Sequence, residues 1–328
     1  MRPVRRTALL AAATVLGVTA SGCATIHGER AVVPAATRAE AARALETFTS
    51  AYNKADRAYD PALDAGVVTG PLGAINQAGL RSRQKSSPGG NKNHRPLELT
   101  DATYIIPKKA GWPRWFVANT DANRDQGDGK PATRWLVTFV RSGPDAVWRA
   151  AYLTVLPPSD IPEFDLDDDG WAKPVAVDDT ELAVAPGDLS KQYTRYLQTG
   201  APDVFAPGPS TSQWRDVRRD TRRAGFSYQY LDQALDTGAF APLGLAAKDG
   251  GALVFFSSKH FERQTAAKGL RPPVNDDVAA LLTGEVGSSL TKERISSQTV
   301  YVPVRGAAGG AKVGVLNRLS GLTAAKGS

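Results

Sequence analysis

The stretch RWFVANTDANRDQGDGKPATRWLVTFVRSGPDAVWRAAYLTVL, residues 114–156, decides the fold. It holds three runs rich in β-branched and aromatic residues: RWFVANT, RWLVTFVR (Arg134–Arg141) and AVWRAAYLTVL (Ala146–Leu156). Turn formers separate them, which is the pattern of strands in a meander. Short connections pair such strands antiparallel. ATYIIPK, Ala102–Lys108, adds a fourth strand upstream. At period two Trp135 shares a face with Val137 and Phe139. With Trp112, Trp115, Phe116, Trp148 and Tyr152 they form an aromatic set. It serves either as core against a helix or as the lining of a pocket for a small apolar ligand.

The helix that would cover this sheet precedes it. TRAEAARALETFTSAYNKADRAYD opens with Thr37 and Glu40 in capping-box spacing, and Ala41, Leu45, Phe48 and Tyr52 recur at helical period. Gly66–Leu80 is weakly helical and interrupted by glycines. SSPGGNKNHRP, Ser86–Pro96, is a turn-rich loop. Helices followed by an antiparallel meander give an α+β pattern.

The second half repeats that order. PGDLSKQYTRYLQTG (Pro186–Gly200) and STSQWRDVRRDTRRAG (Ser210–Gly225) predict helices, the latter closed by Gly225. FSYQYLDQ, GALVFFSSKHFERQT, SSQTVYVPV and AKVGVLNRLSGL then predict strands. Two α+β domains in tandem are expected, at 37–156 and 186–328. An acidic, proline-rich linker at 157–185 separates them.

The chain begins with Arg2, Arg5 and Arg6 and no acid, then the apolar run TALLAAATVLGVTA, then small residues before Cys23. This is the layout of a signal peptide, and the run is too short to span a bilayer comfortably. Cys23 is the only cysteine among 328 residues, so an exported body would rest on its hydrophobic core without disulfides. Removing the three signal arginines takes the formal charge from +7 to about +4, too mild for a nucleic-acid face. The arginine cluster Trp214–Arg223 reads as a solvated helix face with internal ion pairs, or as contact with anionic lipid or wall polymer.

ASGC, Ala20–Cys23, resembles a bacterial lipobox, with Ala20 where leucine is commoner. The resemblance implies a signal peptide at 1–22, a diacylglyceryl and fatty-acyl (palmitate-type) anchor on Cys23, and a flexible tether over 23–36. It implies a protein held on the extracytoplasmic face of the cell membrane. Two or more acyl chains give stable anchoring. As a whole the chain resembles the actinobacterial lipoproteins that carry a domain of unknown function after the lipobox. Each half loosely resembles a cystatin-like or nuclear-transport-factor-like cone domain.

Chemistry is sparse. Asp165, Asp167 and Asp169 with Gly170 fit the first half of a calcium loop, yet Ala176 stands where the closing glutamate belongs. The alternative is a solvated acidic linker, and no other cofactor is suggested. Asp121, Asn123 and Asp125 suit a hairpin tip. Ser289–Lys292 and Ser82–Lys85 match S-x-x-K, but neither K-T-G nor S-D-N occurs, so both are chance matches. Of the three histidines, His27, His94 and His260, only His260 is a candidate general base; otherwise it is a partly exposed strand residue. The expectation is a non-catalytic binding or assembly module with an envelope protein, polymer or small apolar ligand as partner. An acid–base enzyme acting on a small molecule or wall precursor is the alternative.

Overall fold

The computed structural model describes residues 31–124 and 132–328; the signal segment, Cys23 and His27 lie outside them. The fold is α+β. Helix α1, Arg38–Ala58, starts at the expected capping box: Thr37 Oγ1 accepts from Glu40 N–H, and Glu40 accepts from Thr37 N–H at 2.8 Å. Its apolar stripe, Ala41, Ala44, Leu45 and Phe48, is buried. Helix α2 spans Gly70–Ser86, longer than the glycine-interrupted segment read from sequence.

Strands β2 (Leu99–Ile105), β4 (Arg114–Ala122), β5 (Arg134–Arg141) and β6 (Arg149–Leu156) form an antiparallel sheet in that order. Alternation sends the sides of this sheet to two different cores. Phe116, Val137 and Phe139 face α1, and Phe116 stacks on Phe139 at 5.0 Å, its register partner. Trp115, Val117, Leu136 and Tyr152 face the opposite way. Most of the aromatic set is therefore packed core.

The second sheet is built from β7 (Phe226–Leu235), β8 (Leu243–Ala246), β9 (Ala252–Ala266), β10 (Leu282–Thr283), β11 (Ser289–Val302) and β12 (Gly314–Gly327). Its order is β10-β12-β11-β9-β7, with β8 also on β9 and only the β10–β12 pair parallel. Leu253 and Phe255 of β9 and Leu245 of β8 meet Trp115 and Tyr152 in one buried cluster. Buried apolar area of this kind contributes about 25 cal/mol per Å². The other side of β9, Val254 and Phe256, packs under α3 (Leu189–Thr199) through Leu189, Tyr193 and Leu197. The layers run α1, first sheet, second sheet, α3. Helix α4, Ser212–Asp220, lies beside α3, and α5, Asp276–Leu281, caps the far end near β12.

Three further stretches differ from the sequence reading. Val33–Pro34, placed in the tether, form β1 against β3 (Lys108–Lys109), because Ala35 and Ala36 are small enough to be wholly buried in the first core. Residues 157–185, read as a linker, run as a strap stitched to both sheets. Ala172 N–H donates to Ile106 O at 3.0 Å and Asp165 N–H to Ala246 O at 2.9 Å. Ala172, Leu182 and Val184 are buried along it. Helix α4 is also shorter than predicted; it ends at Asp220, and Arg223 turns back to bridge Phe226.

Candidate functional site

Strand register assembles the site. Asp232 on β7 lies opposite His260 on β9, His260 opposite Arg294 on β11, and Ser258 opposite Ser296. Period two puts these side chains on the face that α3 covers further along. Beyond the apolar floor of Val254 and Phe256 that face turns polar.

His260 is almost wholly buried, not a partly exposed strand residue. Its Nδ1 is 2.6 Å from Asp232 Oδ1, and its Nε2 is 2.7 Å from Ser296 Oγ and 3.0 Å from Ser258 Oγ. Arg218, reaching down from α4, donates Nη1 to both Asp232 oxygens at 3.0 and 2.8 Å. Burial alone would raise the Asp232 carboxyl, but the hydrogen bonds from His260 and Arg218 outweigh it and hold it below its ordinary value. For His260 burial wins: the imidazole is held below its ordinary value despite the adjacent carboxylate.

These acceptors and donors form a closed set. A neutral ring donates Nδ1–H to Asp232, so Nε2 accepts one serine proton. Gln298, oriented by its hydrogen-bond network, presents Oε1 to Ser258 Oγ at 2.8 Å and directs its NH₂ to the Phe256 and Ser296 carbonyls. The other serine proton therefore has an acceptor too. Both serines are fully buried.

Trp214 of α4 roofs the network, its ring edge-on to His260 at 4.8 Å. Arg218 and Arg318 lie 3.6 and 3.5 Å from the Trp214 ring centroid. Two planar cations that close cannot share one ring face, so the indole is sandwiched between them. Burial lowers the Arg318 pKa from its ordinary value, and its Nη1 is buried without a hydrogen-bond acceptor. Beside this stack opens a cleft of about 260 Å³ lined by Trp214, Arg218, His260, Glu262, Arg294 and Arg318.

The other sequence candidates lie elsewhere. Asp167 and Asp169 are 2.5 and 3.3 Å from Lys108 Nζ, and Asp165 is 3.7 Å from Lys173. Asp167 Oδ1 also accepts from the N–H groups of Asp169 and Trp171, making a tight turn. The three carboxylates thus have lysine partners, and no three His, Cys, Asp or Glu side chains are placed to hold a metal ion among the described residues. Asp121 pairs with Arg134, and Asp125 lies outside the described residues. His94 pairs with Asp56. Ser289 and Lys292 sit on β11, where residues three apart point to opposite sides. Ser82 and Lys85 instead bind α2 to α5 through Asp277 and the Ala279 carbonyl.

Sequence reasoning missed Trp214, Arg218, Asp232, Ser296 and Arg318 as a set. The arginine cluster was visible. Its internal pairs exist for Arg219, with Asp216 and Asp220, but Arg218 leaves the helix surface for Asp232.

A family model described as a domain of unknown function, DUF8094, matches residues 32–327. An uncharacterized lipoprotein of Streptomyces coelicolor is 52% identical over 99% of this chain and 97% of its own length. One of Streptomyces avermitilis is 50% identical over 96% and 93%. A second from Streptomyces coelicolor is 26% identical over 93% and 91%. No solved structure matches the chain.

Proposed function

This chain belongs to the DUF8094 family and is a lipoprotein with a domain of unknown function, and from that premise we propose that it is a non-catalytic binding module. In this reading Cys23 carries the acyl anchor, and the body faces the extracytoplasmic side of the membrane. The α4-roofed cleft is where it meets its partner. One observation carries the non-catalytic part. His260 has the partners of a catalytic base, but Ser296 and Ser258 are sealed at 0% exposure and their protons are taken up inside the network. A nucleophile must reach its substrate, and these hydroxyls face the protein interior. The network is then a rigid wall that fixes Arg218 and Trp214.

Intact mass and membrane fractionation of the protein and its Cys23→Ala variant test the anchor. A mature chain starting at acylated Cys23, and release of the variant, are expected. An unacylated chain in the medium overturns it. A fluorophosphonate probe tests the wall: no serine should react, and labelling of Ser296 overturns the reading.

The enzyme reading rests on the Asp232–His260–Ser296 distances, which suit proton relay. With Ser296 as nucleophile it requires α4 to lift, and the same probe tests that form of it. The cone-domain likeness is supported by α1 lying across a four-stranded meander.

A further inference from the structure

Resting on the binding-module reading, we infer that the cleft beside Trp214 binds a phosphate group, held by Arg218, Arg294 and Arg318. The three guanidiniums come from three elements, α4, β11 and β12, and line one cleft. Their charges are not balanced there. Glu262 is taken by Lys292 at 3.3 Å and by Gln264 at 2.8 Å, and Asp232 by Arg218 and His260. Arg294 and Arg318 have no carboxylate within ion-pair distance among the described residues. Arg318 has only the Tyr193 hydroxyl and the field of Asp232, which Arg218 and His260 already hold, so two cations without an ion pair of their own face the same space. Buried charge is ordinarily paired, and Arg318 Nη1 is both buried and without an acceptor.

The forks are also fixed in advance. Arg218 and Arg318 are stacked on the two faces of Trp214, and Arg218 uses only Nη1 on Asp232, so Nε and Nη2 are not engaged by that carboxylate. Pre-organised guanidinium groups match oxyanions with paired N–H donors. Planar carboxylate offers two oxygens in one plane. Tetrahedral phosphate offers oxygens in several directions, which suits arginines arriving from a helix and two strands. A second cleft of about 370 Å³ continues past Arg218 toward Arg215 and Gln198. It gives room for the alcohol part of a phosphate ester. The shared chemistry is a phosphate, whether free or on a lipid headgroup.

The test is calorimetric titration of the full-length protein in neutral detergent with inorganic phosphate and with glycerophosphoglycerol, the deacylated headgroup of phosphatidylglycerol. Saturable binding is expected, weakened at least tenfold by Arg318→Gln and by Arg294→Gln and unchanged by Arg81→Gln. Tighter binding of glycerophosphoglycerol assigns a lipid headgroup; tighter binding of inorganic phosphate assigns a free phosphate or monoester. Arg294 is only partly buried, so its variant keeps the test sound if Arg318→Gln fails to fold. Equal binding of acetate, or binding that both arginine variants leave intact, overturns the inference. So does no binding at all. None of these results bears on the fluorophosphonate outcome, so the non-catalytic reading stands or falls separately.

Discussion

Asp232 lies directly across the β7–β9 ladder from His260, and its carboxylate accepts from His260 Nδ1 at 2.6 Å and from Arg218 Nη1 at 2.8 Å. One buried anion thereby holds an imidazole on its own sheet and a guanidinium from the helix above. Asp232→Asn would leave Arg218 without its counter-charge. Breaking one side of a buried pair costs about 3–5 kcal/mol. Urea denaturation should show a loss of that size, and a change under about 1 kcal/mol would mean that Arg218 readily finds water.

The same pair sets a pH dependence. His260 is held below its ordinary value of 6.5 when folded, so below that pH the unfolded chain binds the extra proton first. Stability is then full above about 6.5 and falls as the pH drops toward the folded value. Asp232, also lowered from its ordinary 3.8, adds a second loss at more acidic pH. Denaturation midpoints between pH 8 and pH 5 should fall on acidification in the native protein and less so in His260→Gln. Parallel profiles for the two would refute the assignment.

Phe255 packs on Tyr152 at 5.9 Å in the cluster shared by both sheets. Phe255→Ala should cost about 3–5 kcal/mol. Indole fluorescence, to which the first sheet and its flanks supply four of the six tryptophans (Trp112, Trp115, Trp135 and Trp148), and far-ultraviolet dichroism should lose midpoint together. A shift in one alone would show the sheets melting apart.

A Cβ on Gly321 would lie 2.6 Å from Ile75 Cγ2, so α2 docks on β12 through a bare backbone. Gly321→Val should destabilise by about 1–3 kcal/mol through overpacking. Ile75→Ala on top of it should restore part of the loss. Strictly additive losses in the double variant would count against this contact.

Calcium should leave the melting temperature unchanged at millimolar concentration, because Lys108 already satisfies Asp167 and Asp169. In Lys108→Ala a calcium-dependent rise would show that the lysine stands in for a cation. A rise in the native protein would return the loop to the list of metal sites.

Local signals carried much of the fold. Thr37 and Glu40 lie three residues apart, so the start of α1 is legible without tertiary knowledge. Strand β5 has the bounds its composition predicts. The full length of helix α2 is masked in the sequence because its glycines look like breakers, whereas Gly70 is needed for close approach: a Cβ there would sit 2.5 Å from the Ala239 carbonyl. The site was hidden for a different reason. Asp232, His260 and Ser296 are 28 and 36 residues apart, and only the register of long strands brings them together. His260 could be singled out by scarcity, but its burial depends on Trp214 arriving from a separate helix.

The pinning of β1 to β3 has a mechanical consequence. Val33 is fixed to the body, and ten residue steps separate it from Cys23. Fully extended they reach at most about 35 Å, while a body of about 300 residues has a radius of gyration near 19 Å and so a diameter of about 50 Å. With acyl chains on Cys23, the leash is shorter than what it holds. The body would then roll against the bilayer rather than roam the envelope, searching in two dimensions, and any ligand would have to be encountered within that thin layer.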